Sequence, residues 1–194
     1  MVMDYHSTNN QELKCAINMK IGFTGTVSAG KTTLVNSLKE LPEFKDYEFA
    51  TERSKYLRDL GIPLNTDSTL KGQTIFLSER CSELIRHNII TDRTVIDVMA
   101  FTTCAESIDT YHKDAFEDYA SKFIEEYDWI FYVSPAGVPI EDNNVRTTDK
   151  EYRNQIDLTI KYLCSAHLHR IKNFGIIAGT NEDRITQIKS YLNL

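Results

Sequence analysis

The chain has 194 residues, of which 41% are hydrophobic, and it carries a formal net charge of −6. That length and apolar content suit one sizeable core, and the acidic balance argues against a broad basic footprint for nucleic-acid phosphates. No run approaches the roughly 18–20 apolar residues that cross a bilayer, so the chain reads as soluble.

The first 14 residues are polar, with Asp4, Asn9, Asn10 and Glu12, and lack the basic-then-apolar order of a secretory signal. Residues 1–18 are therefore read as a polar N-terminal extension and residues 19–194 as one domain. Cys15, Cys81, Cys104 and Cys164 form no C-x-x-C pair, which suits neither zinc nor a disulfide framework and fits a reducing cytoplasm.

From residue 19 the chain alternates. Residues 19–24 predict a strand that stops at glycine, and residues 31–38 a helix. Residues 47–50 predict a second strand, residues 68–87 a long helix, and residues 88–91 a third strand. Residues 128–133 and 173–178 complete five short apolar strands. They are separated by helical patterns that include residues 148–172 and a last helix capped by Thr180-x-x-Asp183. Alternating β and α units imply an α/β fold, a parallel sheet covered by helices on both faces.

Between the first strand and first helix stands Gly25-Thr26-Val27-Ser28-Ala29-Gly30-Lys31-Thr32, with Thr33 next. This satisfies G-x-x-x-x-G-K-[ST] in the strand–loop–helix context a P-loop (Walker A motif) requires. Glycines let backbone amides close around phosphates, and the helix N-terminus adds unpaired N–H donors. Lys31 is expected to neutralise the β- and γ-phosphates of ATP and Thr32 to ligate magnesium.

Other segments must name the reaction, since a P-loop serves switches, motors and kinases alike. Asp92-Arg93 follows the third strand: the acid there can reach the magnesium shell and the arginine can hold an anionic group, or the two form a structural pair. Glu52-Arg53 follows the second strand, where Glu52 can take the proton of an attacking hydroxyl and Arg53 can steady a phosphate, or both belong to a helix's first turn. Gln73 and Arg80, seven residues apart, share a helix face, which either lines a substrate pocket or is a solvated face. Arg146 and Arg153, after an Asn-rich loop, suit a lid that closes over transferring charge, or belong to a plain surface loop. His167 and His169, two apart on a helix, lack a third ligand and are read as structural.

The run Ile89-Ile90-Thr91-Asp92-Arg93-Thr94-x-x-Asp97-x-x-Ala100-Phe101, together with the P-loop, resembles the P-loop nucleoside and nucleotide kinases, notably the ribosylnicotinamide-kinase-like and deoxynucleoside-kinase-like branches. The resemblance implies a P-loop NTPase fold with an arginine-bearing lid, ATP and Mg²⁺ as cofactors, and a small nucleoside-like or nucleotide-like acceptor. It implies Lys31, Glu52, Asp92, Arg93, Arg146 and Arg153 as the catalytic set, with Glu52 or Asp92 as base. Residues Glu52, Arg53, Gln73, Arg80 and Arg93 would meet the acceptor. Asp-Arg-Thr instead of Asp-Arg-Tyr departs from thymidylate kinases. The absence of Trp-Pro-Glu-Pro after the second strand departs from cellular deoxynucleoside kinases. Two other readings stand beside it: a kinase of a hydroxymethylated pyrimidine within DNA, and an ATP-dependent switch or binding module, although no N-K-x-D motif is present. A homodimer remains open; a membrane partner is not expected.

Overall fold

The computed structural model describes residues 18–51, 53–139 and 149–194. Five strands form one all-parallel sheet: β1 Lys20–Thr24, β2 Glu48–Ala50, β3 Ile89–Thr91, β4 Trp129–Val133 and β5 Phe174–Ile177, in the order β2-β3-β1-β4-β5. β1 is central, pairing Ile21 with Ile90 on one side and with Trp129 on the other. The order reverses beside it, so the carboxyl ends of β1 and β3 open onto a crevice at a switch point of the topology.

Alternation along the strands builds two cores. In β4, Ile130 and Tyr132 face one side, where they meet α3 Leu70–Glu83, α4 Val95–Cys104, α5 Thr110–Ser121 and α6 Lys150–Ala166. Phe131 and Val133 face the other, against α1 Lys31–Lys39 and α7 Asn181–Leu192. α4 is covered by α3, α5 and α6, and Val95, Ile96, Val98, Met99 and Ala100 are all buried, which explains its nearly continuous apolar sequence. A short helix, α2 Ser54–Asp59, follows β2.

The long helices end earlier than their apolar patterns predict. α3 closes at Glu83, and Ile85 beyond it is 78% exposed. α6 closes at Ala166, so His167 caps it and His169 lies in a separate turn of 3₁₀ helix rather than further along one helix. Their rings lie 6.3 Å apart, and His167 meets Glu117 at 2.9 Å. Cys104 and Cys164 are buried thiols; burial pushes Cys164 up to about 12. Among the described residues no helix is long and apolar enough to cross a membrane.

Arg80 and Glu83 pair at 2.7 Å beneath α3. Burial lifts the Glu83 carboxyl from 4.5 to about 7, against the pull of the Arg80 guanidinium. Between those values the folded state holds more proton than the unfolded chain, so raising the pH through that window withdraws stability. Urea unfolding at pH 5 and pH 8 should therefore show wild type losing more stability than Glu83→Gln, whose side chain does not titrate. Parallel losses would remove Glu83 as the cause.

Candidate active site

The P-loop leaves β1 at Gly25, whose φ is 153° and whose position would bring a Cβ within 2.7 Å of the Val133 carbonyl. Ser28 has φ 53° and Gly30 φ 85°, and α1 starts directly after Gly30 with no side-chain cap. Its first amides are therefore left to whatever the loop holds. Lys31 is buried, its ammonium donating to the carbonyls of Gly25 at 2.5 Å and Thr26 at 2.8 Å. The Thr32 hydroxyl donates to the Asp92 carboxylate at 2.6 Å, joining the loop to the end of β3.

Asp97 ties this corner together. It completes a capping box with Thr94 at the start of α4, accepts from the Gly25 amide at 3.4 Å, and meets Arg93 at 3.4 Å while wholly buried. The Arg93 guanidinium also lies 5.0 Å over the ring of Phe101. The P-loop, Asp92 and Arg93 thus share one edge of the sheet.

Beside them opens a narrow cleft. Val27, Leu64, Phe76, Val98 and Phe101 give it apolar walls; Ser54, Asn65, Ser68, Gln73, Arg93 and Asp97 give it polar points. Gln73 and Ser68 are each at least 97% buried, and the Ser68 hydroxyl has no hydrogen-bond partner among the described residues. A buried hydroxyl left so costs free energy unless a ligand completes it. Ser68 precedes the cap of α3 in an unremarkable Asp-Ser-Thr run, so no sequence signal marks it.

The remaining expected site residues are divided. Arg80 lies on the same face of α3 as Gln73 and is just as buried, but it pairs with Glu83 and does not line the cleft. Two helical turns separate the side chains by about 10 Å, enough to place one in the cleft and the other behind it. Arg53 is half-exposed, pairs with Glu79 at 3.2 Å and stacks over Tyr56 at 4.6 Å. Arg153 turns its guanidinium onto main-chain carbonyls, Ser28 at 3.2 Å and Val138 at 3.1 Å, while its own carbonyl accepts from Thr26 at 2.7 Å. Glu52 and Arg146, and with Arg146 most of the expected lid, lie outside the described residues.

Arg184 of α7 was not foreseen. It is buried and donates to Ala29 of the P-loop at 2.8 Å and to Ser134, past β4, at 2.9 Å. Among the described residues no group of three His, Cys, Asp or Glu side chains gathers as a metal cluster. The Thr32–Asp92 pair offers two oxygens, a set that could hold a magnesium ion whose other ligands are phosphates and water.

A search of curated proteins finds no match. Among solved structures, the chain is similar to deoxyadenosine kinase from M. mycoides with products dCMP and a flexible dCDP bound. The TM-score is 0.58 and the identity 22%, over 90% of this chain and 97% of that one. It is also similar to NadR protein in complex with NAD and AMP-PNP, at TM-score 0.69 and 14% identity, over 92% of this chain but 50% of NadR. A second NadR structure, in complex with NR, gives 0.66 and 15%, over 92% of this chain and 52% of that one. These likenesses establish a P-loop kinase fold, in agreement with the sequence resemblance. The model described as AAA domain matches residues 20–184, and the chain belongs to that AAA domain family.

Proposed function

We propose that the chain transfers the γ-phosphoryl group of ATP to a hydroxyl of an uncharged, nucleoside-like acceptor seated in the cleft between the P-loop and α3. The observation that carries this reading is the balance of charge in the cleft. Among its described lining residues Arg93 is the one basic side chain, and it is paired with Asp97. A monophosphate acceptor calls for cationic surplus to replace its hydration. Apolar walls with Gln73 and Ser68 suit a flat ring with a polar edge and a sugar. The known complexes of the fold neighbours, AMP-PNP in NadR and dCMP in deoxyadenosine kinase, support nucleotide and nucleoside-type ligands.

In this mechanism the P-loop amides and Lys31 bind the β- and γ-phosphates. Thr32 and Asp92 would hold Mg²⁺, which supplies charge neutralisation to those phosphates. With Asp92 committed to that task, the base is Glu52, placed by its sequence position at the end of β2. As the acceptor oxygen bonds to the γ-phosphorus, the bond from phosphorus to the β–γ bridging oxygen breaks. The hydroxyl proton passes to Glu52, and ADP departs. Arg93, braced by Asp97 and Phe101, orients the acceptor, while closure of the segment bearing Arg146 would exclude water.

Labelled ATP offered with nucleosides, nucleoside monophosphates and hydroxymethylpyrimidine-containing DNA tests this directly. A labelled nucleoside product is expected, and Glu52→Gln should lower its formation about 10²- to 10⁴-fold. Label appearing in monophosphates or DNA alone would overturn the acceptor assignment. Release of inorganic phosphate with no labelled acceptor would favour the switch reading.

A further inference from the structure

We infer that Arg184 is a positioning residue for nucleotide binding, setting the P-loop amides from behind the loop and lending them an uncompensated positive charge. The inference rests on the nucleotide-binding part of the proposed function and goes beyond it, because Arg184 belongs to the last helix and to no phosphate-binding motif.

The geometry works through peptide planarity. In a trans peptide the carbonyl of one residue and the amide N–H of the next point in opposite directions. Arg184 holds the Ala29 carbonyl at 2.8 Å, so the Gly30 N–H is turned the other way, toward the inside of the loop. Arg153 holds the Ser28 carbonyl at 3.2 Å and turns the Ala29 N–H likewise. Two consecutive amides are thus aimed by two arginines from different helices. Gly30 fits this arrangement for a second reason besides its φ of 85°, since a Cβ there would stand 2.8 Å from an Arg184 nitrogen.

Charge separates the surroundings of Arg184 from an ordinary structural ion pair. Arg184 is 97% buried, its other contact is the Ser134 carbonyl, and its Nε has no acceptor among the described residues. No carboxylate pairs with it among the described residues. Burial lowers its pKa from the ordinary arginine value, the sign of a cation lacking a counter-ion. A buried cation costs stability unless an anion offsets it, and the phosphates bound by the adjoining loop are the anion the site is built to take.

The test compares Arg184→Met, which keeps bulk and removes charge, with Arg184→Lys, which keeps charge. Equilibrium ATP binding and melting temperature with and without ATP are measured on the full chain. Arg184→Met should weaken ATP binding about tenfold or more and lose most of the ATP-induced rise in melting temperature, with its nucleotide-free melting temperature little changed. Arg184→Lys should bind ATP within about threefold of wild type. ATP affinity in Arg184→Met within twofold of wild type would overturn the inference. So would a lower melting temperature with the ATP response intact, or a Lys variant as weak as the Met variant. Should Arg184→Met fail to fold, the Lys variant decides alone: near-wild-type affinity supports the role of charge and a tenfold loss refutes it. Because binding is the readout, wild-type binding without phosphoryl transfer would sink the kinase reading and leave this one standing. A wild type that does not bind ATP would remove both.

Discussion

Replacing Lys31 by alanine is expected to lower phosphoryl transfer about 100-fold or more, equivalent to about 2.7 kcal/mol of transition-state stabilisation. Its ammonium rests on the carbonyls of Gly25 and Thr26, and in the proposed transfer it would face the charge that develops as the γ-phosphorus moves. Removing it strips the loop of a charge that acts in a desolvated setting, since Lys31 is 5% exposed. Those two hydrogen bonds also brace the loop, so the variant's fold should be checked by circular dichroism and thermal melting. Single-turnover transfer at saturating ATP is the measurement. An unchanged rate in a well-folded variant would mean that the P-loop does not host the chemistry.

Asp92→Asn should be nearly as damaging, for a different reason. The amide oxygen can still accept from Thr32, preserving the 2.6 Å link between loop and β3, but the negative charge that would attract magnesium is gone. Turnover is expected to fall about 100-fold, and the magnesium concentration for half-maximal rate to rise about tenfold or more. A lowered rate with an unchanged magnesium titration would place Asp92 outside the metal's shell.

The sheet and its loop were legible because their signals are local. Glycine, lysine and threonine at fixed offsets after an apolar run admit few backbone paths, and strand alternation marked all five strands to within a residue or two. Helix ends were not, since the apolar pattern runs on through Ile85 and through Leu168 and Ile171 after hydrogen bonding has changed. Arg80 shows a second limit. Spacing correctly put it on the face of Gln73, but distance along the axis, invisible to a helical-face argument, sent it to Glu83 instead. Arg153 and Arg184 show a third: Arg153 drew attention as a lid cation and Arg184 drew none, yet each grips a main-chain carbonyl of the P-loop, and main-chain acceptors leave no trace in residue type.

The two cores on opposite faces of the sheet carry a consequence for how such a protein can change. The helix that opens from the P-loop and the helix bearing Arg184 are anchored in one core, whereas the cleft walls Phe76, Val98 and Phe101 pack on the other face. If the cleft seats the acceptor as proposed, altered acceptor preference would arise by repacking the second core while the P-loop and its helix stay seated in the first. Asp97 is where that independence stops, because one carboxylate touches the Gly25 amide, Arg93 and the α4 cap at once. In an evolving or engineered lineage, the cleft walls should accept substitutions freely around a nearly immovable Asp97.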